Sequence, residues 1–123
     1  MTDRSNSGDD VTELPTVNRF GVTLLPTEEF ARWARSCFAE DPDFTLADFQ
    51  TEPTVYLLPV TDRKLEQVIR QHFKQMLTQE LMGWCTDQSK WPELSYVAFR
   101  EFFEVYITSM VFDLGSAPLE TDN

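Results

Sequence analysis

Residues 55–83 read VYLLPVTDRKLEQVIRQHFKQMLTQELMG, a short apolar run closed by a proline and followed by a long amphipathic stretch. Val55–Leu58 predicts a buried strand, because it is apolar and β-rich, and Pro59 stops it. Thr61 is then the expected N-cap of a long helix, with Asp62 in its first turn and Val60 and Leu65 at the positions of a hydrophobic staple. Leu65, Val68, Ile69, Phe73, Met76, Leu77 and Leu81 recur at spacings of three and four, the stripe of a helix that covers a core. Gly83 is its expected stop. A helix of that span is about 31 Å long, enough to cross one face of a small sheet.

Working upstream, Val22-Thr-Leu-Leu-Pro26 repeats the V-x-L-L-P of Val55–Pro59, 33 residues earlier, and it also precedes a Thr and an amphipathic stretch. Phe20–Leu25 predicts the first strand. Thr27 caps a helix over residues 28–38, with Glu28 and Glu29 at the positive end of its dipole. Asp41 and Pro42 close that helix, and Thr45 caps a single turn over Leu46–Gln50. Downstream, the loop WCTDQSKWP (84–92) leads to a short helix over Tyr96–Phe102 and then to EVYITSMVFDLG (104–115). Val105, Ile107 and Val111 alternate there with Tyr106, Met110 and Phe112. Apolar residues on both faces predict a central strand covered on two sides.

The expected fold is therefore α/β (or α+β). It is one domain with about three strands in the order β-α-β-α-(α)-β and the long helix packed on the sheet. Helices between successive strands favour parallel crossovers, while the orientation of the last strand stays open. Residues 19–115 form the compact domain. Residues 1–18 are a flexible acidic arm, and 116–123 a flexible tail.

Composition narrows the function classes. The 123 residues are 41% hydrophobic and 13% aromatic, which is incompatible with global disorder, and 21 acidic against 10 basic residues give a net charge of −11. That charge argues against direct nucleic-acid binding and against an anionic membrane surface. No apolar run approaches the ~20 residues of a membrane span, and the first residues do not resemble a signal peptide. The expected location is the cytoplasm, with Cys37 and Cys85 as reduced thiols and Cys37 in the core.

One His and two distant Cys cannot build a multi-ligand metal site. His72 reads as structural or as a surface residue. No GxSxG, GxGxxG or GxxxxGK[ST] motif occurs, and Glu28, Glu29 and Asp62 oppose anion binding at the helix starts. DPDFTLADFQTE (41–52) places Asp41, Asp43, Thr45 and Glu52 at calcium-loop positions, but Leu46 stands where the loop requires Gly. No metal site, no cofactor and no catalytic residue is assigned.

VYLLP (55–59), WCTD (84–87), Trp91-Pro92 and FREFFEVYITSMVFDL (99–114) together resemble a group of small bacterial α/β proteins. That group shares V-Y-L-x-P, W-C-T-D and F-x-x-W-F segments before S-M-V-x-D-L. Phe102 here replaces the Trp of that pattern. The resemblance covers about residues 20–115 and implies a shared fold; it carries no activity and no functional residues.

The charge is uneven. Residues 26–62 hold eight acidic and two basic side chains, whereas 63–113 hold seven and six. Three readings follow. The first is a non-enzymatic binding, adaptor or inhibitor-type module whose acidic face, Glu40, Asp41, Asp43, Asp48 and Glu52, docks a basic protein. The second is a ligand-binding protein or small enzyme with a pocket near Trp84, Trp91 and Asp113, since Asp113 would end a central strand. The third is a homodimer joined through exposed aromatics. The balance favours the non-enzymatic reading.

Overall fold

A computed structural model of the chain describes residues 13–38, 40 and 43–122. Strand β1 (Arg19–Pro26) is followed by helices α1 (Glu28–Ser36) and α2 (Leu46–Phe49) and by strand β2 (Thr54–Pro59). Helix α3 (Leu65–Met82), a 3₁₀ turn (Gln88–Lys90), helix α4 (Tyr96–Phe102) and strand β3 (Phe103–Thr108) complete the domain. This is the expected element order on a three-stranded sheet. Among the described residues, no helix is long and apolar enough to cross a membrane.

Two expectations about the sheet are corrected. The strand order is β2-β1-β3, and β1 pairs antiparallel with both neighbours. The β1–β2 connection is therefore not a parallel crossover. The register Leu24↔Thr54 starts β2 beside the end of β1, so the second strand begins at the end of the sheet where the first finishes. The last strand is also not central. It ends at Thr108 and lies on an edge, while β1 holds the centre.

The apolarity of both faces of 104–115 has a different physical origin. Residues 109–114 leave the sheet and turn over it. The N–H of Val17 donates to the carbonyl of Val111 at 2.9 Å, and Met110 and Phe112 line a hollow with Leu14 and Pro15. A Cβ on Gly21 would lie 3.6 Å from the Val111 side chain and 3.3 Å from Thr108 Cγ2, so glycine at the sheet centre leaves room for this return. Residues 13–17 thus pack against the segment after β3. The remaining outer face stays open: Val55 (59% exposed), Leu57 (44%) and Tyr106 (55%) point away from the helices.

The inner face explains the rest. Phe20, Val22 and Leu24 of β1 are buried with Leu58 of β2 and Phe103 of β3, and the helices cover them. Val68, Ile69, Met76, Leu77 and Leu81 supply the α3 stripe as the spacing predicts. Helix α3 starts three residues later than the expected Asp62. The Thr61 hydroxyl accepts the N–H of Arg63 at 3.1 Å, which holds 61–63 in a turn, and Lys64 becomes the N-cap. Val60 and Leu65 are exposed and form no buried staple.

Thr27 stands at the N-cap of α1, but its hydroxyl donates to the Glu101 carbonyl at 2.6 Å and its N–H to Phe102 O at 2.9 Å. These bonds tie the β1–α1 junction to the end of α4. At that junction Phe30 packs at ring-centroid distances of 5.0 Å from Phe103, 5.7 Å from Phe102 and 6.1 Å from Phe49. One side chain therefore links α1, α2, α4 and β3. Truncating a buried Phe typically costs about 3–5 kcal/mol, a large share of a small domain's stability. Phe30→Ala is expected to lower the urea-unfolding free energy by that amount; a loss below about 1 kcal/mol would show that the ring is not the hub of the core.

Candidate functional site

Helix α2 is short and is held by its own cap. Thr45 Oγ1 accepts the N–H of Asp48 at 3.3 Å, and Asp48 Oδ2 accepts the N–H of Thr45 at 2.8 Å, a reciprocal capping box. Phe49, buried at the end of this turn, drives it into the core. Gln50 Nε2 donates to the Pro26 carbonyl at 2.8 Å and fastens α2 to the end of β1. Arg35 holds the preceding loop through Phe44 O at 2.7 Å and pairs with Glu28 at 2.9 Å. That bond and the Arg35 charge hold the Glu28 carboxyl below its ordinary range.

This arrangement frames a cavity of about 500 Å³ at the C-terminal end of α3. Trp84 packs on Phe49 with ring centroids 4.6 Å apart, and Phe44 meets Trp84 edge-on at 5.8 Å. Asp48 and Glu52 enter from the α2 side, and Glu80 from α3. Among the described residues, no Lys, Arg, His, Cys or Ser lines the cavity. The last turn of α3 also carries no basic residue, so the negative end of its dipole is uncompensated where it meets the cavity.

Asp48 already spends one oxygen on its cap, and Glu80 accepts the Tyr56 hydroxyl at 2.6 Å. Glu52 has no cationic partner among the described residues. The three carboxylates are spread around the rim. Among the described residues, no group of three or more His, Cys, Asp or Glu side chains could hold a metal ion, and that includes the calcium-like 43–52 stretch.

Placement of the candidate residues cuts across the earlier grouping. Asp48, Glu52 and Trp84 share this one cavity. Glu40 and Asp43 are exposed and lie outside its lining, and Asp41 falls outside the described residues. Trp91 is half-buried against the core, its indole donating to Cys85 O at 2.8 Å. Asp113 lies five residues beyond β3, not at the end of a central strand, and its carboxylate accepts the N–H of Gly115 at 2.8 Å in an exposed turn. Trp84, Trp91 and Asp113 do not line one pocket.

The fold also brings Cys37 and Cys85 together. Burial pushes the Cys37 thiol up to about 11, and the adjoining Cys85 side chain adds to the rise. Both cysteines are free. His72 bonds the Val68 carbonyl one turn earlier at 2.8 Å. Phe49, Glu80 and the end of α3 escaped sequence reasoning as site elements. Only Gly83 followed directly by Trp84 hinted that an aromatic would stand at a helix end.

No family model, no curated protein and no solved structure matches the chain.

Burial, and then the adjacent Glu80 carboxylate, hold the Tyr56 phenol above its ordinary value of 10. The folded state thus favours the neutral phenol. Its contribution to stability is fully present below pH ~10 and fades as pH rises beyond that, where the unfolded chain ionises first. Urea unfolding is expected to show a steeper stability loss between pH 9 and pH 11 for the natural chain than for Tyr56→Phe (window about the ordinary tyrosine value). Parallel profiles would contradict the Tyr56–Glu80 contact.

Proposed function

We propose that the protein is a non-enzymatic binding module that docks a basic protein by seating a Lys or Arg side chain of that partner in the cavity at the end of α3. One observation carries the proposal: the exposed Trp84 ring, packed on Phe49, under a rim of Asp48, Glu52 and Glu80, with no cation in the lining among the described residues. Arg35, 5.8 Å from the Phe49 ring, is paired with Glu28. A cation above an aromatic face gains ~0.5–2 kcal/mol, more as water is excluded. The helix dipole adds to the same sign of potential. The spread of the carboxylates suits a guanidinium or ammonium on a side chain better than a bare metal ion. Glu40 and Asp43 extend the acidic surface beyond the cavity and favour encounter with a basic partner. The same reading places the protein in the cytoplasm, with both thiols reduced.

The test is calorimetric titration with a Gly/Arg peptide, blocked at both ends. Saturable binding is expected, weakening as salt rises because part of the attraction is exposed. Glu52→Gln should weaken it about three- to tenfold, the scale of one lost charge contact of ~0.7–1.4 kcal/mol. Glu101→Gln, an exposed carboxylate outside the cavity lining, should leave it unchanged. Equal losses in both variants would mean that only net charge attracts the peptide, and the cavity reading would fail.

The open outer face of the sheet favours a second, compatible reading, self-association of two copies through Val55, Leu57 and Tyr106. Sedimentation velocity is expected to show a dimer that Leu57→Lys dissociates. A monomer at every concentration would remove this reading and leave the cavity untouched.

A further inference from the structure

The other end of the sheet, where β1 begins and β2 finishes, holds a second cavity of about 600 Å³. Its walls are largely apolar, built from Phe20, Val60, Leu65, Val68 and Ile107. Among the described residues, Arg19 and Arg63 are its only charged lining residues. Both guanidiniums are held by neutral acceptors: Arg19 by the Asn18 side chain at 2.8 Å and Arg63 by the Gln71 side chain at 3.3 Å. Such contacts orient a guanidinium without neutralising it. In a chain with 21 acidic and 10 basic residues, two arginines over an apolar cavity whose lining contains no carboxylate among the described residues run against the background charge.

We propose that this cavity binds a small amphipathic carboxylate, its apolar body against Phe20, Val60 and Ile107 and its carboxylate on Arg19 and Arg63. The volume lies within the ~300–1,000 Å³ of small-molecule sites, whose walls are mostly apolar with a few placed polar groups. A planar guanidinium presents a pair of N–H donors that match a carboxylate. A monoanion suits these walls better than a dianion, because each added charge raises the cost of leaving water. The late start of α3 contributes as well. Asp62 precedes the helix instead of sitting in its first turn, and Lys64 at the N-cap makes no side-chain capping bond. The acidic residue of the first turn is Glu66, which pairs with Arg70 at 3.5 Å and Arg100 at 3.9 Å, accepts the Tyr96 hydroxyl, and lies outside the cavity lining.

The test uses the full chain and three probes in calorimetric titration: decanoate, decyltrimethylammonium with a matched apolar body and opposite charge, and acetate with the charge alone. Decanoate is expected to bind saturably at one site, while the other two show no saturable binding over the same concentrations. The exposed positions of Arg19 and Arg63 allow an Arg19→Gln/Arg63→Gln variant to fold, which circular dichroism checks. That variant should bind decanoate at least tenfold more weakly, about 1.4 kcal/mol. Amide shifts induced by decanoate should centre on Phe20, Val60 and Ile107. Equal binding of decanoate and the cationic probe, an unchanged affinity in the arginine variant, or no saturable binding of decanoate would each overturn the proposal. The cavity lies at the opposite end of α3 from the acidic one, so Glu52→Gln should leave decanoate binding unaltered.

Discussion

The pairing of β1 on both of its edges is the constraint on which the rest of the molecule depends. With neighbours on either side, its backbone groups are satisfied within the sheet, and its inner row of Phe20, Val22 and Leu24 can be buried completely. Helices on one face meet that need. At eight residues β1 is about 27 Å long, and the 18 residues of α3 span about the same distance. Strand and helix therefore end together. Each end of α3 opens on a cavity framed by an end of β1, Pro26 at one and Arg19 at the other.

The two cavities give the net charge of −11 a spatial meaning. Carboxylates gather at the C-terminal end of α3, where the dipole is already negative. Arginines stand at the N-terminal end, where it is positive. Each cavity thus reinforces the sign of the helix pole beside it, and in each the opposite charge is missing from the lining among the described residues. Within a folded chain such groups usually find partners, so a matching external group is the simplest way to complete them.

Local chemistry made much of this legible in the sequence. Pro26 and Pro59 marked the strand ends, Thr45 capped its single turn, and the α3 stripe named its buried residues. What was not legible depends on contacts distant in the chain. Thr61 looked like a cap, but its hydroxyl serves the N–H of Arg63, a choice that spacing alone does not reveal. The apolar faces of 104–115 suggested a covered central strand, yet Met110 and Phe112 are met by Leu14 and Pro15 from the other end of the domain. Strand order was hidden for the same reason, since the antiparallel pairing of β1 with β2 leaves no periodic signature in the sequence between them. The site was half-legible. Asp48, Glu52 and Trp84 were each singled out for separate reasons, and only folding places them with Glu80 around one cavity.

Backbone amide exchange followed residue by residue tests this frame most directly. A central β1 requires the amides of Phe20–Leu25 to be the slowest in the sheet without alternation, because both edges are paired. The edge strands β2 and β3 should alternate between slow and fast amides along their lengths. Uniformly slow exchange through residues 103–112, with alternation in β1, would instead make the last strand central, and neither cavity would then exist as described.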